Sequence, residues 1–172
     1  DTLNPIQITI DDNKNVDVNF DYQNARDLVG TWEFDLQESE SAKSHGKIIM
    51  RISIQLNILF TLVLNNVTTQ IYTSLTSLSS TSMVMGNIGV LTNINFTSST
   101  SLGFSLITLP QGTSPLTSAA NIPAATPGNS INLTGGKKTS TNSAPFTPPS
   151  SAVTSNTSGT SSAQALSNIV ST

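Results

Sequence analysis

The stretch IIMRISIQLNILFTLVL, residues 48–64, has an apolar residue at every even position. Alternation with a period of two is typical of a β-strand that buries one face. As a single strand this stretch would be about three times the usual length. A turn at residues 55–57 keeps the parity, because it sets Ile54 opposite Ile58 and Ile52 opposite Phe60. The stretch therefore predicts a β-hairpin, with Asn57 in a left-handed conformation.

The same alternation covers residues 6–109, and no helical stripe interrupts it. Each strand is joined to the next by a short loop, and Asn65-Asn66 is a strong signal for a two-residue turn. Counting the runs predicts an all-β fold, an eight-stranded antiparallel meander. Eight strands can close into a barrel or divide into a sandwich of two sheets, and the sequence leaves both open.

The apolar and charged positions together predict one register. If Trp32 lies opposite Ile52 and Phe34 opposite Met50, then Glu33 falls beside Arg51 on the solvent face. Opposite charges across neighbouring strands favour such a pairing.

The chain divides into three parts by composition. The pattern predicts a separate N-terminal β-hairpin over residues 1–22, which is a candidate for donating a strand to another sheet. It predicts the main barrel or sandwich over residues 23–109. The 63 residues 110–172 contain seven of the eight prolines and 24 Ser or Thr. Such a composition lacks the apolar content for its own core. We therefore expect an irregular Ser/Thr/Pro-rich extension, without which residues 1–109 still fold.

The charges are distributed unevenly. All ten acidic residues lie in the first 40 positions, and residues 52–136 contain no Asp, Glu, Lys, Arg or His. That long segment therefore offers no general acid or base and no strong metal ligand. The acidic N-terminal part would repel nucleic acid. We expect no catalytic residues, no cofactor and no nucleic-acid partner.

One pattern has the spacing of a calcium loop. Asp11, Asn13, Asn15 and Asp17 supply oxygen ligands at alternate positions. Val16 stands where such a loop has Gly, and Tyr22 where it has a bidentate Glu. The alternative is an acidic hairpin turn, which the sequence favours.

Four Asn-x-Ser/Thr triplets could accept glycans in an export pathway. In a chain rich in Asn, Ser and Thr, such triplets also arise by chance. They begin at Asn66, Asn95, Asn132 and Asn156.

The segment Leu28-Val29-Gly30-Thr31-Trp32-Glu33-Phe34 resembles the opening strand of lipocalin-like barrels, in which a Gly-x-Trp places the indole across the closed end. The resemblance implies a small exported barrel with Trp32 at its base and an apolar ligand inside. The candidate ligand-binding side chains are Trp32, Phe34, Phe60 and Phe104. The alternative is that Trp32 is an ordinary core aromatic.

These observations favour a non-enzymatic structural protein. The chain begins at Asp1 rather than Met, which suggests a removed leader and an extracellular or cell-surface location. No apolar run is long enough for a transmembrane helix. The leading hypothesis is a subunit that assembles with copies of itself into a surface filament, sheath or shell, with residues 1–22 or the tail adding a strand to a neighbour. The alternative is a lipocalin-like binding module for a small apolar ligand, tethered to the cell surface by its tail.

Overall fold

A computed structural model describes residues 23–36, 46–79, 81–110, 112–118, 121–126 and 128–154. The predicted N-terminal hairpin, residues 1–22, lies outside these ranges. One short helix precedes nine strands. The elements are α1 Gln23–Leu28, β1 Gly30–Leu36, β2 Gly46–Ile52, β3 Asn57–Leu64, β4 Val67–Ser74, β5 Ser77–Leu78, β6 Ser82–Met85, β7 Gly89–Ser98, β8 Ser101–Thr108 and β9 Ser130–Ser140.

The strands form one curled sheet. Their order is β4-β3-β2-β1-β9-β8-β7-β6-β5, and every neighbouring pair is antiparallel. The all-β, antiparallel prediction is confirmed. The described residues contain nine strands, whereas eight were expected for the whole chain, two of them in residues 1–22.

The two ends of the sheet are nearly continuous in sequence. Only Leu75 and Thr76 separate β4 from β5. The Leu75 N–H donates to the carbonyl of Leu56, 3.2 Å away, on the β3 side, whereas the Thr76 N–H donates to the carbonyl of Val84, 2.9 Å away, on the β6 side. The chain therefore changes its hydrogen-bonding partner between two adjacent residues, which gives the curled sheet its barrel-like form.

The ninth strand lies inside the segment predicted to be an irregular extension. Strand β9 is inserted between β1 and β8 and pairs with both. Its apolar side chains Ile131 and Leu133 alternate and are buried. Gly135, at φ 69°, lies where the β8–β9 register shifts, and left-handed glycines are typical of such bulges. Two apolar residues are too few to identify a strand by pattern. Strand β9 therefore takes its structure from its pairing with β1 and β8.

The hairpin predicted from residues 48–64 is present, but its register is displaced by two residues. Ile52 lies opposite Ile58 and Met50 opposite Phe60. Ser53 closes the turn, because its N–H donates to the carbonyl of Asn57 at 3.0 Å and its Oγ accepts from the Asn57 N–H at 3.2 Å. Leu56, not Asn57, takes the left-handed conformation, at φ 61°.

The predicted pairing of β1 with β2 is displaced in the same way. Trp32 lies opposite Met50, and Arg51 lies opposite Thr31 rather than beside Glu33. A shift of two residues keeps every side chain on its own face, so the buried side was predicted correctly while the ion pair was not. Glu33 pairs with Lys47 instead.

The turn at Asn65-Asn66 is confirmed. Both residues have positive φ, 49° and 65°, and Leu64 pairs with Val67 across them. Positive φ at both central positions is the mark of a type I′ turn.

A single apolar cluster fills the inside of the curled sheet, with side chains from β1 to β4 and from β6 to β9. A second, smaller cluster lies on the outer face, where Val84, Val90 and Ile107 pack with Leu116 and Ile122. Part of the Pro-rich segment after β8 therefore covers the outer side of β6, β7 and β8.

Candidate functional site

The four aromatic residues predicted to bind a ligand lie inside the curled sheet. Trp32, Phe34, Phe60 and Phe104 are at most 3% exposed and belong to the same apolar cluster. The rings of Phe34 and Phe104 meet edge to face, with centroids 5.1 Å apart. These side chains are brought together in one cluster inside the sheet.

Trp32 is held from two sides. Its Nε1–H donates to the carbonyl of Leu28, 2.8 Å away, at the end of α1. The Nζ of Lys138 lies 4.9 Å from the centre of the indole ring. The same Nζ donates to the carbonyl of Asp27 at 2.9 Å. Helix α1, strand β1 and strand β9 therefore meet around the indole.

Sequence reasoning missed Lys138 as a partner of Trp32. Nothing in the neighbouring sequence marks Lys137 and Lys138 as part of a strand. The contact depends on the pairing of β1 with β9, which are about 100 residues apart in sequence.

One ion pair lies on the outer face. Lys47 Nζ is 2.6 Å from Glu33 Oε1, and the two side chains are 42% and 32% exposed. The hydrogen bond from Lys47 to Glu33, and then the charge of Glu33, raise the pKa of Lys47 above its ordinary value of 10.5. Within the described residues, no group of three or more His, Cys, Asp or Glu side chains is placed to hold a metal ion.

Three of the four predicted glycan acceptors are exposed. Asn66 lies in the type I′ turn, Asn95 on β7 and Asn132 on β9. The Asn132 Oδ1 accepts a 2.6 Å hydrogen bond from the Ser105 hydroxyl. The fourth, Asn156, lies outside the described residues, as does the predicted calcium loop with Asp11, Asn13, Asn15 and Asp17.

The most unusual feature of the surface is the segment of residues 141–154, which we call the strap. It follows β9 and runs over the outer face of β2, β3 and β4. Near its start, the carbonyl of Ser143 accepts from the Ile54 N–H at 2.9 Å. Further along, the ring of Phe146 packs between two outward side chains: it meets Tyr72 edge to face at 6.0 Å, and the Arg51 guanidinium lies 4.5 Å from its centre.

Near Val153 the strap forms a single β-bridge with β4. The Val153 N–H donates to the carbonyl of Gln70, and the Tyr72 N–H donates to the carbonyl of Val153, both at 2.9 Å. Val153 thus forms a parallel bridge with Ile71, on the side of β4 away from β3. An edge of the sheet therefore binds an extended, uncharged segment through its backbone.

Comparison with known protein families, with curated proteins and with solved structures gave no match, so function is argued from this chain's own geometry. No helix in the described part of the chain is long and apolar enough to cross a membrane.

Proposed function

We propose that this chain is a non-enzymatic structural protein, exported to the cell surface, that assembles with copies of itself into a filament, sheath or shell. The observation that supports this proposal most directly is the edge of β4, which holds the strap by strand-type hydrogen bonds. An edge that binds an extended segment is the element by which proteins add a strand from a neighbour.

The charge pattern also supports assembly. Neither β4 nor the strap contains a charged residue. Copies that meet at these surfaces therefore bring no like charges together, although each chain carries a net charge of −3. Neutral hydroxyl and amide groups make such a contact weakly dependent on salt.

The test is the molar mass of the purified chain, measured by light scattering from micromolar to millimolar concentration. Assembly predicts a mass that rises in multiples of the 18.1 kDa chain. A protein that remains strictly monomeric over the whole range contradicts the proposal.

A second candidate function is a lipocalin-like module that binds a small apolar ligand. The arrangement of α1, Trp32 and Lys138 favours it, because these residues cover one end of the inward-facing cluster. The test is the fluorescence of Trp32, the only tryptophan, during titration with apolar probes of increasing chain length. A saturable change supports binding, and a signal that no probe alters contradicts it.

A further inference from the structure

The strap points to the surface through which two copies of this chain join, an inference that rests on the proposed self-assembly. We propose that the strap of one copy binds the β4 edge and the Arg51–Tyr72 surface of a second copy, in the place that its own strap occupies in the single chain. The partner is therefore a second copy of this chain, and the contact is an exchange of straps.

The first support is the length of the strap. Val153, which forms the bridge, comes ten positions after the anchor at Ser143, and Pro145, Pro148 and Pro149 lie between them. An extended Pro-rich chain spans about 3.1 Å per residue, or roughly 31 Å. The path from β2 past β4 crosses three strand spacings of about 4.8 Å and, with the offset along the strands, needs roughly 20 Å. The strap is therefore longer than its path over its own chain requires, and it contains a turn in which the Ala152 N–H donates to the Pro149 carbonyl at 2.9 Å, so opening that turn lengthens its reach.

The second support is the distribution of exposed apolar side chains. Two large apolar side chains of the described residues are strongly exposed: Ile54, at 67%, and Val67, at 64%. Ile54 is the residue to which the start of the strap is hydrogen-bonded, and Val67 begins β4. In the single chain the strap leaves both exposed. They lie at opposite ends of β3, at the β2–β3 and β3–β4 turns, so the body of a second copy would cover both only by lying along the whole β4 edge.

The contacts of the strap are the same within one chain and between two chains. The balance between binding within one chain and exchange between two chains is therefore set by the protein concentration. The chain's own strap is tethered and competes at an effective concentration in the millimolar range. Exchange is expected when the protein is concentrated, as on a surface. Reciprocal exchange closes a dimer, and one-way exchange builds a chain of subunits.

Two substitutions separate the two halves of the contact. Val153→Pro removes the N–H that donates to Gln70 and so impairs the strap. Tyr72→Pro removes the N–H that donates to Val153 and so impairs the β4 edge. That N–H points away from β3, and proline is tolerated at such edge positions. Thr147→Pro is the matched control, since it adds a proline to the strap away from its hydrogen bonds to the sheet.

The experiment measures the concentration at which each full-length protein assembles, by light scattering, alone and in an equal mixture. We expect Val153→Pro and Tyr72→Pro alone to need at least about 10-fold more protein than wild type. Thr147→Pro should behave as wild type. The mixture of the two impaired variants should form a heterodimer, because the intact strap of the Tyr72→Pro chain fits the intact edge of the Val153→Pro chain.

Three outcomes overturn the exchange. If the single variants assemble as wild type does, copies join elsewhere, and the proposed function survives without this contact. If the variants are monomeric but the mixture gives no heterodimer, the strap acts only within its own chain. If wild type never assembles, the proposed function and the exchange both fail. Should Tyr72→Pro lose its cooperative unfolding, Tyr72→Ala and Phe146→Ala make the equivalent pair, because they divide the ring contact between strap and sheet.

Discussion

The ammonium group of Lys138 lies 4.9 Å from the centre of the Trp32 ring and donates a hydrogen bond to the carbonyl of Asp27. One side chain of β9 thereby contacts β1 and α1 together. A cation over an indole is attracted by the electrons of the ring, and the carbonyl satisfies one of its donors. The contact links β9, the last of the nine strands in chain order, to β1, the first.

Replacing Lys138 with Met should lower the free energy of unfolding by about 1–2 kcal/mol, because the apolar stem is kept while the cation–π contact and the hydrogen bond are lost. Urea unfolding followed by Trp32 fluorescence measures the change. Lys137→Met is the control, since Lys137 is exposed and on the opposite face of the same strand. An equal loss in both variants would contradict a specific role for Lys138.

Gly136 should not tolerate a side chain. A Cβ at this position would overlap the ring of Phe34, which is itself packed against Phe104. We expect Gly136→Ala to cost about 1–3 kcal/mol, the usual range for overpacking a core. Gly128→Ala is the control, because nothing lies within 4 Å of its Cβ position. Thermal unfolding of the two variants distinguishes a crowded site from a general effect of replacing glycine.

The position of β9 predicts what truncation does. A chain that ends at residue 129 lacks the strand between β1 and β8, so both lose a neighbour and the inner cluster loses Ile131 and Leu133. We expect no cooperative unfolding transition by circular dichroism. A chain that ends at Ser140 keeps all nine strands and should unfold cooperatively. If the shorter chain also unfolds cooperatively, β9 is not needed for folding, as the composition had suggested.

The ion pair of Lys47 and Glu33 gives a pH dependence. The folded-state pKa of Lys47 is raised, mainly by its hydrogen bond to Glu33. A raised lysine pKa contributes stability that is fully present below the ordinary value of 10.5 and is lost as the pH rises through the folded-state pKa. The stability difference between wild type and Lys47→Met should therefore stay constant from neutral pH to about pH 10 and shrink as the pH rises above 10.5. In a Glu33→Gln background, the same comparison should show no such decrease.

The type I′ turn gives a test of backbone conformation. Asn66 has φ 65°, which a β-branched residue adopts only with strain. Asn66→Val should cost about 1–2 kcal/mol, whereas Asn66→Gly should be tolerated. Denaturant midpoints of the two variants measure the difference, and equal midpoints would show that the turn can rearrange.

The strands β1, β2 and β3 could be predicted from sequence because each buries a row of large apolar residues on one face. Their register could not, because moving a strand by two residues leaves the buried face unchanged. The hydrogen bonds of Ser53 and the left-handed Leu56 decide between the alternatives, and neither is visible in the apolar pattern.

The ninth strand and the strap escaped prediction for a different reason. Strand β9 has only two buried apolar residues. The strap contacts the sheet through two single apolar residues, Phe146 and Val153. Neither segment has a periodic pattern, so each takes its structure from surfaces built by distant parts of the chain. The Lys138 contact and the β4 edge with its strap depend on these distant parts, so the local sequence carries little information about either.

The insertion of β9 between β1 and β8 also has a consequence for how the chain is made. During synthesis, β1 emerges about 100 residues before β9, the strand that pairs with its second edge. Until then the facing edges of β1 and β8 are unpaired, and unpaired edges of nascent chains are prone to join with one another. Sheets whose strands pair over such distances fold slowly, because a long loop must close before the contacts form. The lack of charge across residues 52–136 leaves that interval without electrostatic protection, so folding must keep pace with translation for this protein.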